Sequence, residues 1–231
     1  MKNWKKLALL AVLPVLSLTG CDDDDDAADT LTDEARVLVV HASPNAPGVD
    51  LYVDGTKANT SALNYPDNTG YLTLPAGSRN IKVTAARAGL GSPVIDANVT
   101  LEKDRNYSVF AAGPLSGLTP VVLVDDLTAP ASGRAHVRFV HLAPDAPSVD
   151  VVVQGGNNLF SDIEFKEGTA FTPVNAGSHV LEVQPVGTDV AAVTAVLNLQ
   201  AGRIYTIYAR GFLNPPSGND NSLDAGVIMN N

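Results

Sequence analysis

The sequence is poor in the residues that form cross-links or stack on ligands. It has one cysteine, Cys21, and one tryptophan, Trp4, and aromatic residues make up only 6% of its 231 positions. A single cysteine cannot form an internal disulfide bond, so the fold does not depend on a disulfide framework. No HExxH, CxxC or glycine-rich phosphate-binding pattern occurs. The sequence therefore predicts no enzymatic activity, no cofactor and no metal site.

Basic residues are also scarce. The chain has 15 lysines and arginines against 25 acidic residues, for a formal net charge of −10. Three of the lysines lie within the first six positions, and without that segment 12 basic residues stand against 25 acidic ones, a net charge of −13. An acidic surface repels phosphate backbones, so we expect no nucleic-acid partner. It is also repelled by anionic lipid headgroups, which favours a globular part held away from the membrane.

No apolar run is long enough to span a bilayer. The run from Leu7 to Leu18 follows a basic start and has the length of a secretory signal, so residues 1–20 are predicted to be a signal peptide. Its end, Leu18-Thr-Gly-Cys21, resembles the lipobox of bacterial lipoproteins. That resemblance implies lipidation of Cys21 with palmitate-type chains and attachment to a membrane of the cell envelope, facing the periplasm or the exterior. The leaflet stays open, and a cleaved signal with an incidental cysteine is the alternative.

The segment 21–34 is strongly acidic and carries no basic residue. Five aspartates, Asp22 to Asp26, follow the cysteine directly. Adjacent like charges repel one another, so we expect an extended, hydrated tether. A calcium-binding strip is the alternative, but the segment lacks the glycine turn and the spaced ligands of an ordered calcium loop.

A sustained helical period is also missing from the rest of the chain. Short β-branched runs separated by Pro, Gly, Asn and Asp predict about seven strands, and the pattern then restarts about one hundred residues later. With only two copies, such a long period favours tandem globular domains over a solenoid. We predict an all-β protein with one β-sandwich over residues 35–127 and a second over residues 134–231.

The most similar part of the two copies is a ten-residue motif that begins with a histidine and ends with an aspartate. Its residues are His41, Pro44, Pro47 and Asp50 in the first copy and His141, Pro144, Pro147 and Asp150 in the second. Period two places each histidine at the end of a core-facing row, and the prolines stiffen the following turn. We interpret the motif as a rigid corner that the histidine and the aspartate hold by hydrogen bonds.

The same motif could instead form a binding or metal site. One histidine and one aspartate are too few for a zinc site, which needs about four ligands. A hydrolytic triad would need a nucleophile, and Ser43 of the first copy is replaced by Ala143 in the second. No catalytic residue is therefore assigned.

One segment of each copy refines the fold prediction. The segments Leu199-Gln-Ala-Gly-Arg-Ile-Tyr205 and, less strictly, Leu101-Glu-Lys-Asp-Arg-Asn-Tyr107 resemble the tyrosine corner of immunoglobulin-like sandwiches, in which the hydroxyl donates to upstream backbone. In the first copy Asp104 replaces the glycine, and aspartate still permits a left-handed turn. The sequence thus predicts two tandem immunoglobulin-like antiparallel β-sandwich domains.

The start of each copy carries a family resemblance. Arg36 to Gly55 reads Arg-Val-x-Val-x-His-x-x-Pro-x-Ala-Pro-x-Val-Asp-x-Tyr-Val-Asp-Gly, and residues 135–155 keep most of this pattern. It resembles the start of the DUF4397 domain, a bacterial extracytoplasmic β-sandwich of undefined function. The resemblance implies a location in the cell envelope and transfers no catalytic residue.

These observations favour a membrane-anchored, non-catalytic binding or structural module whose partner is an envelope protein or an extracellular ligand. The alternative is an envelope enzyme or metal-binding protein that uses the repeated His/Asp motif. Because the motif is more typical of a structural corner, we expect function to lie in the variable loops.

Overall fold

The computed structural model describes residues 33–231, so the signal peptide, Cys21 and most of the tether lie outside the described residues. Within the described part of the chain no helix is long and apolar enough to cross a membrane. Apart from two three-residue 3-10 turns, the regular elements are strands. Those of the first copy are β1 (Glu34–Ala42), β2 (Val49–Val53), β3 (Thr56–Lys57), β4 (Asn68–Pro75), β5 (Gly77–Ala85), β6 (Pro93–Leu101), β7 (Asn106–Ala112) and β8 (Thr119–Asp125). Those of the second are β9 (Arg134–His141), β10 (Val149–Val153), β11 (Asn158–Ile163), β12 (Thr172–Asn175), β13 (Gly177–Pro185), β14 (Val193–Leu199), β15 (Ile204–Arg210) and β16 (Asp224–Met229).

Each copy forms two four-stranded sheets. We call the sheets of the first copy A (β4-β1-β7-β8) and B (β3-β2-β5-β6), and those of the second copy C (β12-β9-β15-β16) and D (β11-β10-β13-β14). The predicted all-β sandwich fold is confirmed. One detail differs from a purely antiparallel arrangement, because β1 pairs in parallel with β7 and β9 pairs in parallel with β15. The alternation of apolar residues along a strand does not show whether the neighbouring strand runs parallel or antiparallel to it.

The four sheets stack in the order B, A, C, D, because sheets A and C are covered on both faces. Along β1, alternate residues such as Val37 and Val39 face sheet B, whereas Leu38 and Val40 face the second copy. All four are buried, and a strand buried on both faces reads as a continuous apolar run. Each copy also has its own core of inward-facing residues, which in the first includes Leu51, Ile81 and Val109 and in the second Phe139, Leu181 and Ile207.

The interface between the copies contains an apolar cluster and a buried ion pair. The cluster joins Leu38, Val40, Ala42, Phe110, Ala112 and Val121 of sheet A to Val140, Leu142, Tyr208 and Ile228 of the second copy. Beside it, Arg138 Nη2 lies 2.7 Å from Asp125 Oδ1, and the two side chains are 1% and 0% exposed. Arg138 also donates to the hydroxyls of Ser108 and Thr206, both at 2.8 Å. Burial lowers the pKa of Arg138 from its usual value.

Both copies have a tyrosine corner, with one correction to the prediction. The hydroxyls of Tyr107 and Tyr205 accept hydrogen bonds, at 2.9 and 3.1 Å, from the backbone N–H groups of Glu102 and Gln200. The predicted direction, with the hydroxyl donating, is wrong because the backbone group that faces it is an N–H. Asp104 adopts the left-handed conformation with φ of 58°, as predicted from its replacement of glycine.

Candidate functional site

The histidine of each repeated motif closes its corner through two backbone groups. His41 Nε2 donates to the carbonyl oxygen of Pro47 at 2.9 Å, and its Nδ1 accepts from the N–H of Ser43 at 3.4 Å. The second copy repeats both contacts, since His141 Nε2 donates to Pro147 O at 2.9 Å and its Nδ1 accepts from Ala143 N–H at 3.3 Å. One donating and one accepting nitrogen describe a neutral ring.

The two histidines are fully buried, and burial lowers the pKa of each from its usual 6.5. Edge-to-face contacts with Tyr65 and Phe165 cover the rings of His41 and His141. The protein thus holds both imidazoles in the uncharged form that the corner requires.

The aspartates of the motif lie apart from the histidines. Asp50 forms a salt bridge with Lys57 at 2.8 Å and accepts the Arg87 N–H at 2.9 Å. The hydrogen bond from Lys57 is the main cause that lowers the pKa of Asp50. Asp150 accepts the N–H of Asp162 at 2.8 Å. The hypothesis that both the histidine and the aspartate hold the corner is therefore wrong for the aspartate. Each carboxylate lies on the face of its strand that points away from the core of its copy, and its partners lie on that face.

The prolines have different neighbours in the two copies. The Pro44 carbonyl accepts hydrogen bonds from the side-chain amides of Asn219 and Asn221 in the second copy, at 2.9 and 2.6 Å. Pro144 lies in the matching turn of the second copy. The first corner thus contributes to the docking of the two copies, which the sequence did not predict.

No group of three or more His, Cys, Asp and Glu side chains in residues 33–231 is arranged to hold a metal ion. The predicted lipidation site, Cys21, lies outside this range, so its attachment stays a prediction.

A groove between the copies lies where the β3–β4 connection of the first meets β15 and β16 of the second. We call this space of about 720 Å³ the seam groove. The first copy lines it with residues 58–63 and 66–69 and Leu72, and the second with Tyr208, Arg210 and residues 225–227. A smaller groove of about 370 Å³ adjoins it and shares Pro66 and Arg210.

The two copies differ from one another at the second-copy wall of this groove. Strand pairing identifies the equivalent positions, because β7 with β8 and β15 with β16 have the same register. The equivalent positions with different side chains include Tyr208 for Phe110, Arg210 for Ala112, Gly226 for Val121 and, at the adjoining groove, Asp224 for Thr119.

Two of these differences, Tyr208 and Gly226, are coupled by close packing. The ring of Tyr208 lies across Gly226, where a Cβ atom would meet ring atoms at 2.2 Å, so only glycine fits beneath it. Elsewhere along the boundary between the copies, Leu123 of the first copy packs against Gly168 of the second. A Cβ atom at Gly168 would lie 2.6 Å from Leu123 Cδ1. The two copies thus leave a groove beside Gly226 and pack closely at Gly168.

The other two differences add charge. Arg210 Nη2 lies 2.6 Å from Asp224 Oδ2, a cross-strand ion pair. Arg210 Nε is buried and has no hydrogen-bond partner among the described residues. Burial raises the pKa of Tyr208 and raises that of Tyr65, at the adjoining groove, to about 12, so both stay protonated donors at neutral pH. The groove can thus offer hydrogen-bond donors and acceptors beside a small apolar surface.

Sequence reasoning missed Tyr208 and Arg210, although a signal was present. The apolar Phe110 and Ala112 of the first copy become tyrosine and arginine in an otherwise similar strand of the second. Without the docking of sheets A and C, however, nothing places these side chains at a groove.

A family model described as "Domain of unknown function (DUF4397)" matches residues 35–152 and 149–231. Comparison with the curated proteins gave no match. Among solved structures, the chain is similar to a carbohydrate-binding module of family CBM26 from Eubacterium rectale Amy13K, in complex with maltoheptaose, at 8% identity and a TM-score of 0.26, covering 85% of this chain and 95% of that one. Since the two family matches together span most of its length, this chain belongs to the DUF4397 family.

Proposed function

We propose that this protein is a lipid-anchored, non-catalytic binding module of a bacterial cell envelope and that the seam groove is its binding site. The observation that carries the proposal is the clustering of these differences between the copies along the second-copy wall of the seam groove and of the groove that adjoins it. The fold itself accepts Phe, Ala, Thr and Val at these positions in the first copy. The tyrosine and the arginine–aspartate pair of the second copy are therefore not required by the fold, and the glycine accommodates the tyrosine ring.

The docking of the two copies supports this proposal because both copies form walls of the groove. Arg138 and Asp125 are paired across the interface without solvent, and the apolar cluster packs beside them. Walls held in place before binding lose less conformational entropy when a ligand arrives.

The alternative, an envelope enzyme or metal-binding protein that uses the repeated motif, has less support. Both ring nitrogens of His41 and of His141 are already hydrogen-bonded to backbone groups. A metal or a substrate would have to break those buried bonds.

The groove assignment is tested by site-specific crosslinking in intact cells. A photoreactive amino acid is placed at Asn68, an exposed residue on the groove wall, or at Asn198, an exposed residue of sheet D, as the control. We expect a crosslinked product from position 68 only. Arg210→Ala, which copies Ala112, is expected to remove that product while leaving the fold intact. Equal products from both positions, or none from position 68, would contradict the proposal.

The anchor is tested by Cys21→Ser, which removes the thiol to which lipid is attached. Stable membrane attachment needs two or more lipid chains, so the variant is expected to move from the membrane to the soluble fraction and to lose labelling by palmitate. Ser17→Ala, outside Leu18–Cys21, is the control and should remain at the membrane. Retention and labelling of the Cys21→Ser variant would rule out the lipoprotein assignment.

A further inference from the structure

Strand β16 is the outermost strand of sheet C, and its open edge borders the seam groove. Ala225, Gly226 and Val227 of this strand line the groove. Its six residues pair with β15 in unbroken register, without a bulge, a proline or a lysine. An edge strand that lacks these protective features is a template on which another strand can pair.

The equivalent edge of the first copy is protected. Strand β8 has Pro120 opposite Ala111, and β16 has Ala225 opposite Ala209. Proline has no N–H, yet β8 stays paired with β7 in continuous register through this position. The backbone nitrogen at this position therefore points away from the neighbouring strand and towards the open edge.

The same geometry identifies the free groups of β16. Since antiparallel backbone groups alternate in direction, the N–H groups of Ala225, Val227 and Met229 face the open edge. The side chains of these residues share one face of the strand, on which Ala225 packs against the core of the second copy. Val227 is 47% and Met229 54% exposed on that face, so an added strand would find both hydrogen-bonding groups and apolar surface.

We propose that the open edge of β16 binds an extended, basic polypeptide segment as an added strand. Side chains on one face of the segment contact Val227 and Met229, and those on the other face enter the seam groove. The inference rests on the proposed function and states the class of ligand that the groove accepts.

Charge selects this occupant over a second copy of the chain. Asp67, Asp220 and Asp224 line the two adjoining grooves, and Arg210 is the basic residue beside them. Pairing of β16 with β16 of a second copy would bring these acidic groups, and two acidic proteins, towards one another. A segment with lysine or arginine at its ends brings opposite charge to the same place.

The probe is a heptapeptide of alternating threonine and valine with a lysine at each end, added to the isotopically labelled full chain and followed by amide NMR. We expect saturable shifts of the amides of Ala225, Val227 and Met229. The same peptide with alternate backbone amides methylated should not bind, because it lacks the donors of an added strand. A version with glutamate in place of both lysines should bind more weakly.

The matched variant is Ala225→Pro, which copies Pro120 and removes one edge donor without touching the β15–β16 bonds. It should weaken peptide binding by about fivefold to tenfold. Val227→Lys, at an exposed side chain, is a second variant that should weaken binding by charge repulsion even where the proline variant folds poorly.

Each outcome decides between the two proposals. Crosslinking from Asn68 without peptide-induced shifts on β16 would keep the groove as the binding site and reject strand addition. Shifts confined to β14, unchanged affinity of both variants, or a dimer that pairs through β16 would also overturn the inference. Peptide binding that Ala225→Pro weakens, without crosslinking from Asn68, would support the edge and reject the groove assignment.

Discussion

Replacing Arg138 with leucine is expected to destabilise the protein by about 3–5 kcal/mol, because it leaves the carboxylate of Asp125 buried without its cation. Asp125 would keep hydrogen bonds from Ser108 and Tyr71. Neutral donors compensate a buried charge only in part. The measurement is urea-induced unfolding of the full chain, with Lys82→Leu as the control, since the Lys82–Asp96 pair is solvent-exposed and such pairs contribute little.

The double variant Arg138→Leu with Asp125→Asn should recover most of this loss. The chain already contains these residues at the equivalent positions, because Leu38 corresponds to Arg138 and Asn230 to Asp125. Asn230 shows that an amide is satisfied there, as it accepts from Thr206 and donates to Tyr71. A buried pair replaced as a whole is often close to neutral, whereas removal of one partner is not. If the double variant is as unstable as the single one, the unpaired charge is not the cause.

Replacing His41 and His141 with alanine is expected to cost about 1–3 kcal/mol for each histidine. Each substitution removes a fully buried imidazole ring and leaves the Pro47 or Pro147 carbonyl without its donor in a partly buried hydrogen bond. Unfolding in urea measures the loss. His179→Ala is the control, because the hydrogen bond of His179 to Asn175 lies at the exposed surface. A double alanine variant with unchanged stability would show that the corner does not depend on the histidines.

The buried histidines also predict how acid changes the stability of the protein. Burial lowers the pKa of both histidines, so at pH values below about 6.5 the unfolded chain takes up protons that the folded chain does not. The stability that depends on the neutral rings is therefore complete above pH 6.5 and is lost as the pH falls towards the lower folded pKa. Each histidine contributes a slope of at most about 1.4 kcal/mol per pH unit. Unfolding at pH 7.5 and 5.5 should show a steeper loss in the wild type than in the double variant; equal slopes would contradict the mechanism.

Local features of this protein were predictable from its sequence because they depend on short-range geometry. Period-two patterns identified the strands, and the repeat identified two similar units. The left-handed turn at Asp104 followed from its alignment with Gly202, and both residues have positive φ. Strand alternation likewise puts Arg138 on the face opposite Val137 and Phe139.

Other features depended on contacts between distant parts of the chain. The partner of Arg138 is in the other copy, and the partners of Asp50 are Lys57 and Arg87 rather than His41.

By itself, the sequence determined that this is a duplicated all-β protein whose copies begin with the same stiff corner, since strand alternation and turn residues are local properties. Only the tertiary structure decided that sheets A and C dock face to face and that Arg138 and Asp125 form a buried pair. It also placed Tyr208, Arg210 and Gly226 on the wall of the seam groove, with Asp224 in the groove beside it. Alternation shows which face of a strand is apolar. Which other surface covers that face is set by shape and charge complementarity between residues more than one hundred positions apart, as between Leu38 and Val140.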